Sequence, residues 1–463
     1  MTRWETDLTT RDTNRVVRPL EWGFDWLEDF DIGAAQEEVT SAAKAASIAG
    51  GLYGTDKSVP LSKTGSAVAS AVAEEDAGPG AKATFSSMAE FRGLKAPAPS
   101  GASAGDGAES GGGAGSVRAV AGDIWRMIEL NREIVRRSDD FYGYVTPTDF
   151  RIERRHPELF PTNVRPETLA QEAEMRRMAA SGQLEEAEFL RFTSPVQTRY
   201  PENDQVNARW YPAPEHKQAG RPKQAIIVMP QWNADAISHN VFGGLFNRFG
   251  VSVLRLSMPY HDIRRPEELE RSDYATSANI GRTINSCRQA VVDVRSCLDW
   301  LEMQGYTQFG VLGTSLGSCY AFIAAAHDAR LRVCAFNHAS TYFGDVVWEG
   351  QSTRHVHAAF EEAGLTQDLI REMFLGISPM AYMERFATTP KRVLVVHATY
   401  DLTFPLHLSL EVLKNFSRLG IDYVSKVLPC GHYTTGETPY KYMDGWYLGS
   451  FVYQAFKTLR ERG

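Results

Sequence analysis

The chain has no run of about 18 apolar residues, so no transmembrane helix is expected. Its first thirty residues are rich in charge and hold no apolar stretch, which argues against a secretory signal. Cysteine is scarce. Cys287, Cys297, Cys319, Cys334 and Cys430 are odd in number and form no C-x-x-C pair, which predicts reduced packing thiols rather than a disulfide framework. A cytoplasmic location is the resulting expectation. Positive charge is also short. The 49 Lys and Arg face 57 Asp and Glu, a formal net charge of −8. Bulk electrostatics would therefore not hold nucleic acid or an anionic membrane. Gly243-Gly244 is not followed by Lys-Ser or Lys-Thr, so no phosphate loop is read there. No cofactor is expected.

What is present is a long chain, 463 residues, with 43% hydrophobic content, enough for a large core with extensions. Residues 1–33 carry an aromatic patch, Trp22, Phe24, Trp26 and Phe30, interleaved with Glu21, Asp25, Glu28 and Asp29. It reads as a segment docked on the main body, with a protein-partner motif as the alternative. Residues 34–116 are dominated by Ala, Gly and Ser. Such a stretch buries too little apolar surface to offset its ordering entropy, so it reads as a flexible linker. Residues 117–191 read as a helical extension. Met127, Ile128, Asn131, Ile134 and Val135 keep a helical spacing, and a second helical run starts at Pro166 and reaches about Phe192.

From 192 to 463 the pattern changes. Strands are expected at Phe192–Thr198, Val206–Tyr211, Gln224–Met229, Val251–Leu256, Phe309–Leu312, Leu331–Phe336, Arg392–Val396 and Tyr423–Leu428. Helices fall between most of them. The central strands are apolar throughout, which predicts an α/β fold: a mainly parallel sheet covered on both faces. The stretch of about 338–386 is too long for a simple crossover and looks helical. It reads as a cap over the strand ends, where such folds place ligands.

The chemistry is concentrated in Gly313-Thr314-Ser315-Leu316-Gly317. The run follows an apolar strand and opens a helix, so Ser315 would sit on a strained turn that only flanking glycines permit. The helix N-terminus offers backbone N–H groups for a developing oxyanion. A serine nucleophile needs a base, and the base needs an orienting carboxylate. In the chain order Ser, acid, His, the acid follows the penultimate strand and the base follows the last. Asp401 in RVLVVHATYDLTFP and His432 in Pro429-Cys430-Gly431-His432 hold those places. His407 lies too close to the acid loop, and His397 ends a buried strand.

On these three motifs, the region from about Phe192 to Arg462 resembles the α/β-hydrolase superfamily, in particular its esterase-like serine hydrolases. The resemblance implies an eight-stranded sheet and acyl-transfer chemistry. It also implies an oxyanion hole from the Leu316 N–H and a second N–H on the loop after the third strand, here Gln231 or Trp232. That loop lacks the usual His-Gly. The run from Met258 to Pro266, MPYHDIRRP, is similar to one that a branch of these hydrolases carries after its fourth strand.

Arg264 and Arg265, with Tyr260, are candidates for binding a carboxylate or phosphate on a substrate. Anchoring of a loop through Glu267, Glu268 or Glu270 is the competing role. His355 and His357 stand two apart on a helix-like stretch and point to different faces, so even with His338 no metal site is expected. The function expected is hydrolysis of a carboxylic ester through an acyl-enzyme. Acyl transfer or peptide cleavage by the same triad, or a non-catalytic partner-binding role, are the alternatives.

Overall fold

The computed structural model describes residues 1–10, 15, 17–30, 114–157 and 166–461; residues 34–113, most of the expected linker, lie outside these. Among the described residues, nine strands form one sheet in the order β1-β2-β3-β5-β4-β6-β7-β8-β9. They are β1 Arg151–Arg155, β2 Ala187–Thr193, β3 Gln205–Tyr211, β4 Lys223–Met229, β5 Val251–Leu256, β6 Tyr306–Thr314, β7 Leu331–Asn337, β8 Arg392–Ala398 and β9 Tyr423–Leu428. β1, β2 and β3 pair antiparallel, and β3 runs antiparallel to β5. From β5 to β9 every pairing is parallel.

Two expectations are corrected. The sheet has nine strands rather than eight. The extra edge strand, β1, reads RIERR, and its exposed charges hide it from any search for apolar alternation. The second N-terminal helix ends at Ala180 rather than near Phe192. Beyond Gly182, which adopts a left-handed φ of 70°, the chain turns extended, and residues 188–193 pair antiparallel along β3.

Alternate residues of the central strands feed two cores. Ile227, Val311, Phe336 and Val395 face the core shared with the helices Ile280–Met303 and Leu316–His327. Ile226, Leu312, Ala335 and Val396 face Phe246, Val452 and Phe456, on the helices Val241–Asn247 and Tyr440–Glu461. This is period-two alternation with both faces covered. Each fully buried aliphatic side chain contributes ~1.5–3 kcal/mol.

Between β7 and β8 the chain forms the helices Phe343–Glu349, Arg354–Glu362, Gln367–Met373 and Met383–Ala387, with short 3-10 turns. Their buried side chains, among them Phe343, Val347, Phe360 and Phe374, join the first core.

The N-terminal segment is built into the same body. Glu21 pairs with Asn279 in a single bridge, and the Gly281 N–H donates to the Trp22 carbonyl at 3.0 Å. Trp26, Leu27 and Phe30 are buried. Gly281 is required here, because a Cβ would lie 1.8 Å from the Gly23 carbonyl oxygen. All five cysteines are buried thiols. No described helix is long and apolar enough to cross a membrane.

Candidate active site

β6 ends at Thr314 and a helix opens at Leu316, which leaves Ser315 alone in the turn, at φ 57° and ψ −121°. A non-glycine residue there carries ~1–3 kcal/mol of backbone strain. The surroundings hold it: the Ser315 N–H donates to the Asn337 carbonyl at 2.7 Å, and its carbonyl accepts from the Ser318 N–H at 2.8 Å. The flanking glycines are steric necessities. A Cβ on Gly313 would meet the Gly317 carbonyl at 2.2 Å, and one on Gly317 would meet the Pro230 carbonyl at 2.4 Å. The second contact also presses the elbow against the loop after β4. Leu316 and Trp232 line one pocket as a result, and Gln231 and Trp232 border the adjoining cleft.

Ser315 Oγ lies 2.9 Å from His432 Nε2, and His432 Nδ1 lies 2.9 Å from Asp401 Oδ2. Asp401 Oδ1 accepts from the Thr403 and Phe404 N–H groups at 2.8 and 2.7 Å. An ionised carboxylate only accepts, so His432 carries its proton on Nδ1 and turns the Nε2 lone pair to the serine hydroxyl. Burial by itself would raise the Asp401 carboxyl, but the His432 and His338 imidazoles hold it well below the usual carboxylate range. Burial would likewise lower His432; Asp401 and, more weakly, Glu5 outweigh it and leave the imidazole more basic than usual. The His432 ring stacks on Phe404, with centroids 5.3 Å apart and planes 9° apart.

Sequence reasoning missed two residues. His338 follows β7 at φ 58° and places Nδ1 2.8 Å from Asp401 Oδ2, the oxygen that His432 also meets. Glu5, on the helix Thr2–Thr10, is fully buried. Its carboxylate accepts from the Tyr433 and Thr434 N–H groups at 2.8 and 2.9 Å. Gly431 makes room for it, since a Cβ there would lie 2.4 Å from the Glu5 carboxylate. The contacts span 63 and 428 residues, so no local motif signals them.

The donor atoms of His338, Asp401 and His432 lie within 4.8 Å of one another, a spacing that a metal ion could also use. Asp401 Oδ2 sits at hydrogen-bond distance from both imidazoles and Oδ1 is held by two backbone N–H groups, a fit to proton sharing within the group. Of the other histidines considered, His355 stacks on Trp232, and His357 packs against Trp348 with the ring planes tilted by 37°.

The structure does not bring Tyr260, Arg264 or Arg265 to this site, which corrects their assignment to substrate binding. Arg264 is fully buried; it donates to the Asn203 and Ser257 carbonyls at 2.7 and 2.9 Å and pairs with Asp293. Tyr260 is fully buried, and its N–H donates to Asn203 Oδ1. Arg265 donates to the Glu270 carbonyl at 2.9 Å, so the loop-anchoring role is the one observed. The neighbouring His261 does the more telling work. Its Nε2 accepts from the Asn233 N–H at 3.1 Å, while Nδ1 faces the Pro259 carbonyl. Burial pushes this imidazole down to about 3, so it stays neutral and braces the loop that carries Gln231 and Trp232.

The sequence matches no protein-family model and no curated protein. Solved structures similar to the chain include an acylaminoacyl peptidase of Pyrococcus horikoshii, 14% identical at a TM-score of 0.42, over 56% of this chain and 40% of that one. An acetyl xylan esterase from a Paenibacillus species is 11% identical at a TM-score of 0.45, over 71% and 94%. Acetyl xylan esterase 1 from a Thermoanaerobacterium species is 14% identical at 0.46, over 71% and 98%. The chain thus spans less than half the length of the peptidase. The fold itself is read from the chain's own topology. A parallel sheet entered through antiparallel strands, a serine elbow between β6 and its helix, an acid after β8 and a histidine after β9 together give the chain the α/β-hydrolase fold.

Proposed function

We propose that the chain is a serine hydrolase that cleaves carboxylic esters through an acyl-enzyme on Ser315. The observation that carries this reading is the row Ser315 Oγ, His432 Nε2, His432 Nδ1, Asp401 Oδ2, with 2.9 Å at both ends, on a serine held in a strained elbow.

His432 Nε2 takes the Ser315 proton as Oγ bonds to the ester carbonyl carbon, and Asp401 stabilises the imidazolium that forms. The carbonyl oxygen becomes an oxyanion. Leu316, the first helical residue, has an N–H with no intrahelical acceptor, and it supplies the first donor. The turn at Gln231–Trp232 supplies the second N–H; losing one such donor costs roughly 10²–10³ in turnover. The bond to the leaving oxygen breaks as His432 gives that oxygen its proton. Water, deprotonated by His432, then releases the acid and returns the proton to Ser315.

A fluorophosphonate probe tests this without knowledge of the substrate. One adduct, placed on Ser315 by peptide mapping and absent from Ser315→Ala, is the expected result. Well-folded protein that takes up no probe would overturn the reading.

A further inference from the structure

Ser315 borders two cavities that differ in size and character. One is small and apolar, about 50 Å³. Leu316 and Cys319 of the elbow helix, Phe343, Val346 and Val347 of the inserted helices, and Phe404 form much of its wall. The other is an open cleft of about 740 Å³. Its wall is more mixed and includes His432, Thr314, Leu245 and Asp444.

His432 borders the cleft and is not part of the small pocket's wall. This asymmetry orients a substrate. The leaving oxygen must collect its proton from the imidazole that took the serine proton. It therefore departs on the His432 side, into the cleft. The other substituent of the tetrahedral carbon, the acyl chain, points away from His432.

From this we infer that the small pocket is the acyl site, that it selects short apolar acyl chains, and that the cleft admits bulky alcohols. The inference rests on the reading of Ser315 as nucleophile. The size limit follows from the volume. The pocket has less than a tenth of the cleft's volume, which leaves room for a short chain and not for a long one. Each methylene that fits gains ~0.8 kcal/mol, roughly fourfold in kcat/KM. The further carbons of a longer chain either leave the apolar wall or overpack it, and both reverse the gain. The apolar wall also rejects a charged or hydroxylated acyl chain, whose burial would leave polar groups unpaired.

The test is the kcat/KM of the full chain on p-nitrophenyl esters from acetate to dodecanoate. The expected profile peaks at or below four carbons and falls at least tenfold by eight. Val346→Ala and Val347→Ala enlarge the small pocket and move the peak to longer chains. Val346 is partly exposed, so its variant keeps the test open if Val347→Ala folds poorly. Leu245→Ala enlarges the cleft and leaves the chain-length profile in place. Butyrate esters of 4-methylumbelliferone and of p-nitrophenol are hydrolysed within a few-fold of each other. A wild-type peak at eight carbons or more, or a peak that moves with Leu245→Ala and not with the valine variants, overturns the inference while leaving the hydrolase reading intact. Failure to hydrolyse any ester, with no probe adduct on Ser315, overturns both.

Discussion

His338 Nδ1 lies 2.8 Å from Asp401 Oδ2, so the carboxylate oxygen that orients His432 is shared between two imidazoles. The two rings are 4.4 Å apart. Sharing weakens the hold of Asp401 on each partner, because one lone-pair region serves two donors. Replacing His338 by Ala should return the full charge to His432 and make it more basic. The base must be neutral to act, so kcat/KM falls as pH drops through the His432 pKa. The acid limb of the pH profile should therefore move to higher pH in His338→Ala. An unmoved limb in a folded variant would show that His338 only packs there.

Glu5 holds the loop that carries His432. Its removal leaves the Tyr433 and Thr434 N–H groups without their acceptor. Unpaired buried donors cost ~1–3 kcal/mol each, so Glu5→Ala should lower the denaturation midpoint clearly. The imidazole should also lose its register with Ser315, and displacement on the scale of 1 Å costs on the order of 10²-fold in rate. Glu5→Gln keeps one acceptor oxygen and should fall between Ala and wild type. Equal kcat in all three, measured on one ester, would confine Glu5 to stability.

Asp401→Asn tests the orienting role with little change of shape. The amide has one acceptor oxygen where the carboxylate has two, and the favoured His432 tautomer is lost. A fall of roughly 10⁴ in kcat is expected. A loss below tenfold, read from steady-state rates, would remove Asp401 from the mechanism.

Asp444 gives a stability signature. Burial pushes its carboxyl up to about 6, against the opposing effects of His338 and the hydrogen bond from Asn337. A carboxyl whose folded pKa is raised favours the folded state while protonated. That contribution is fully present below the ordinary carboxylate pKa and is lost as pH rises through about 6. Asp444→Asn removes the ionisation. Its Tm relative to wild type should therefore rise between pH 4 and pH 7.5. Melting both proteins across that range checks the sign, and a constant difference would refute it.

The sites differ in how far they could be read from the chain. The elbow is local: strand, Gly-x-Ser-x-Gly and helix are contiguous, and their steric demands act within five residues. Asp401 and His432 were selected by their places after two apolar strands, and the fold lays both beside Ser315. β1 and β2 were misread because an exposed edge strand need not alternate and a short strand after Gly182 can be absorbed into a helical pattern. The arginines of MPYHDIRRP looked like ligand groups, because sequence does not show that Asp293 and the carbonyls of Asn203 and Ser257 surround Arg264.

By itself, the sequence determined the α/β alternation, the parallel central sheet and the elbow, since each follows from periodicity or sterics over a few residues. Tertiary structure alone decided that Glu5 anchors the histidine loop, that His338 shares Asp401, and that His432 borders the wide cleft rather than the small pocket. These depend on which distant side chains meet once two cores are packed on one sheet, and no local spacing encodes that.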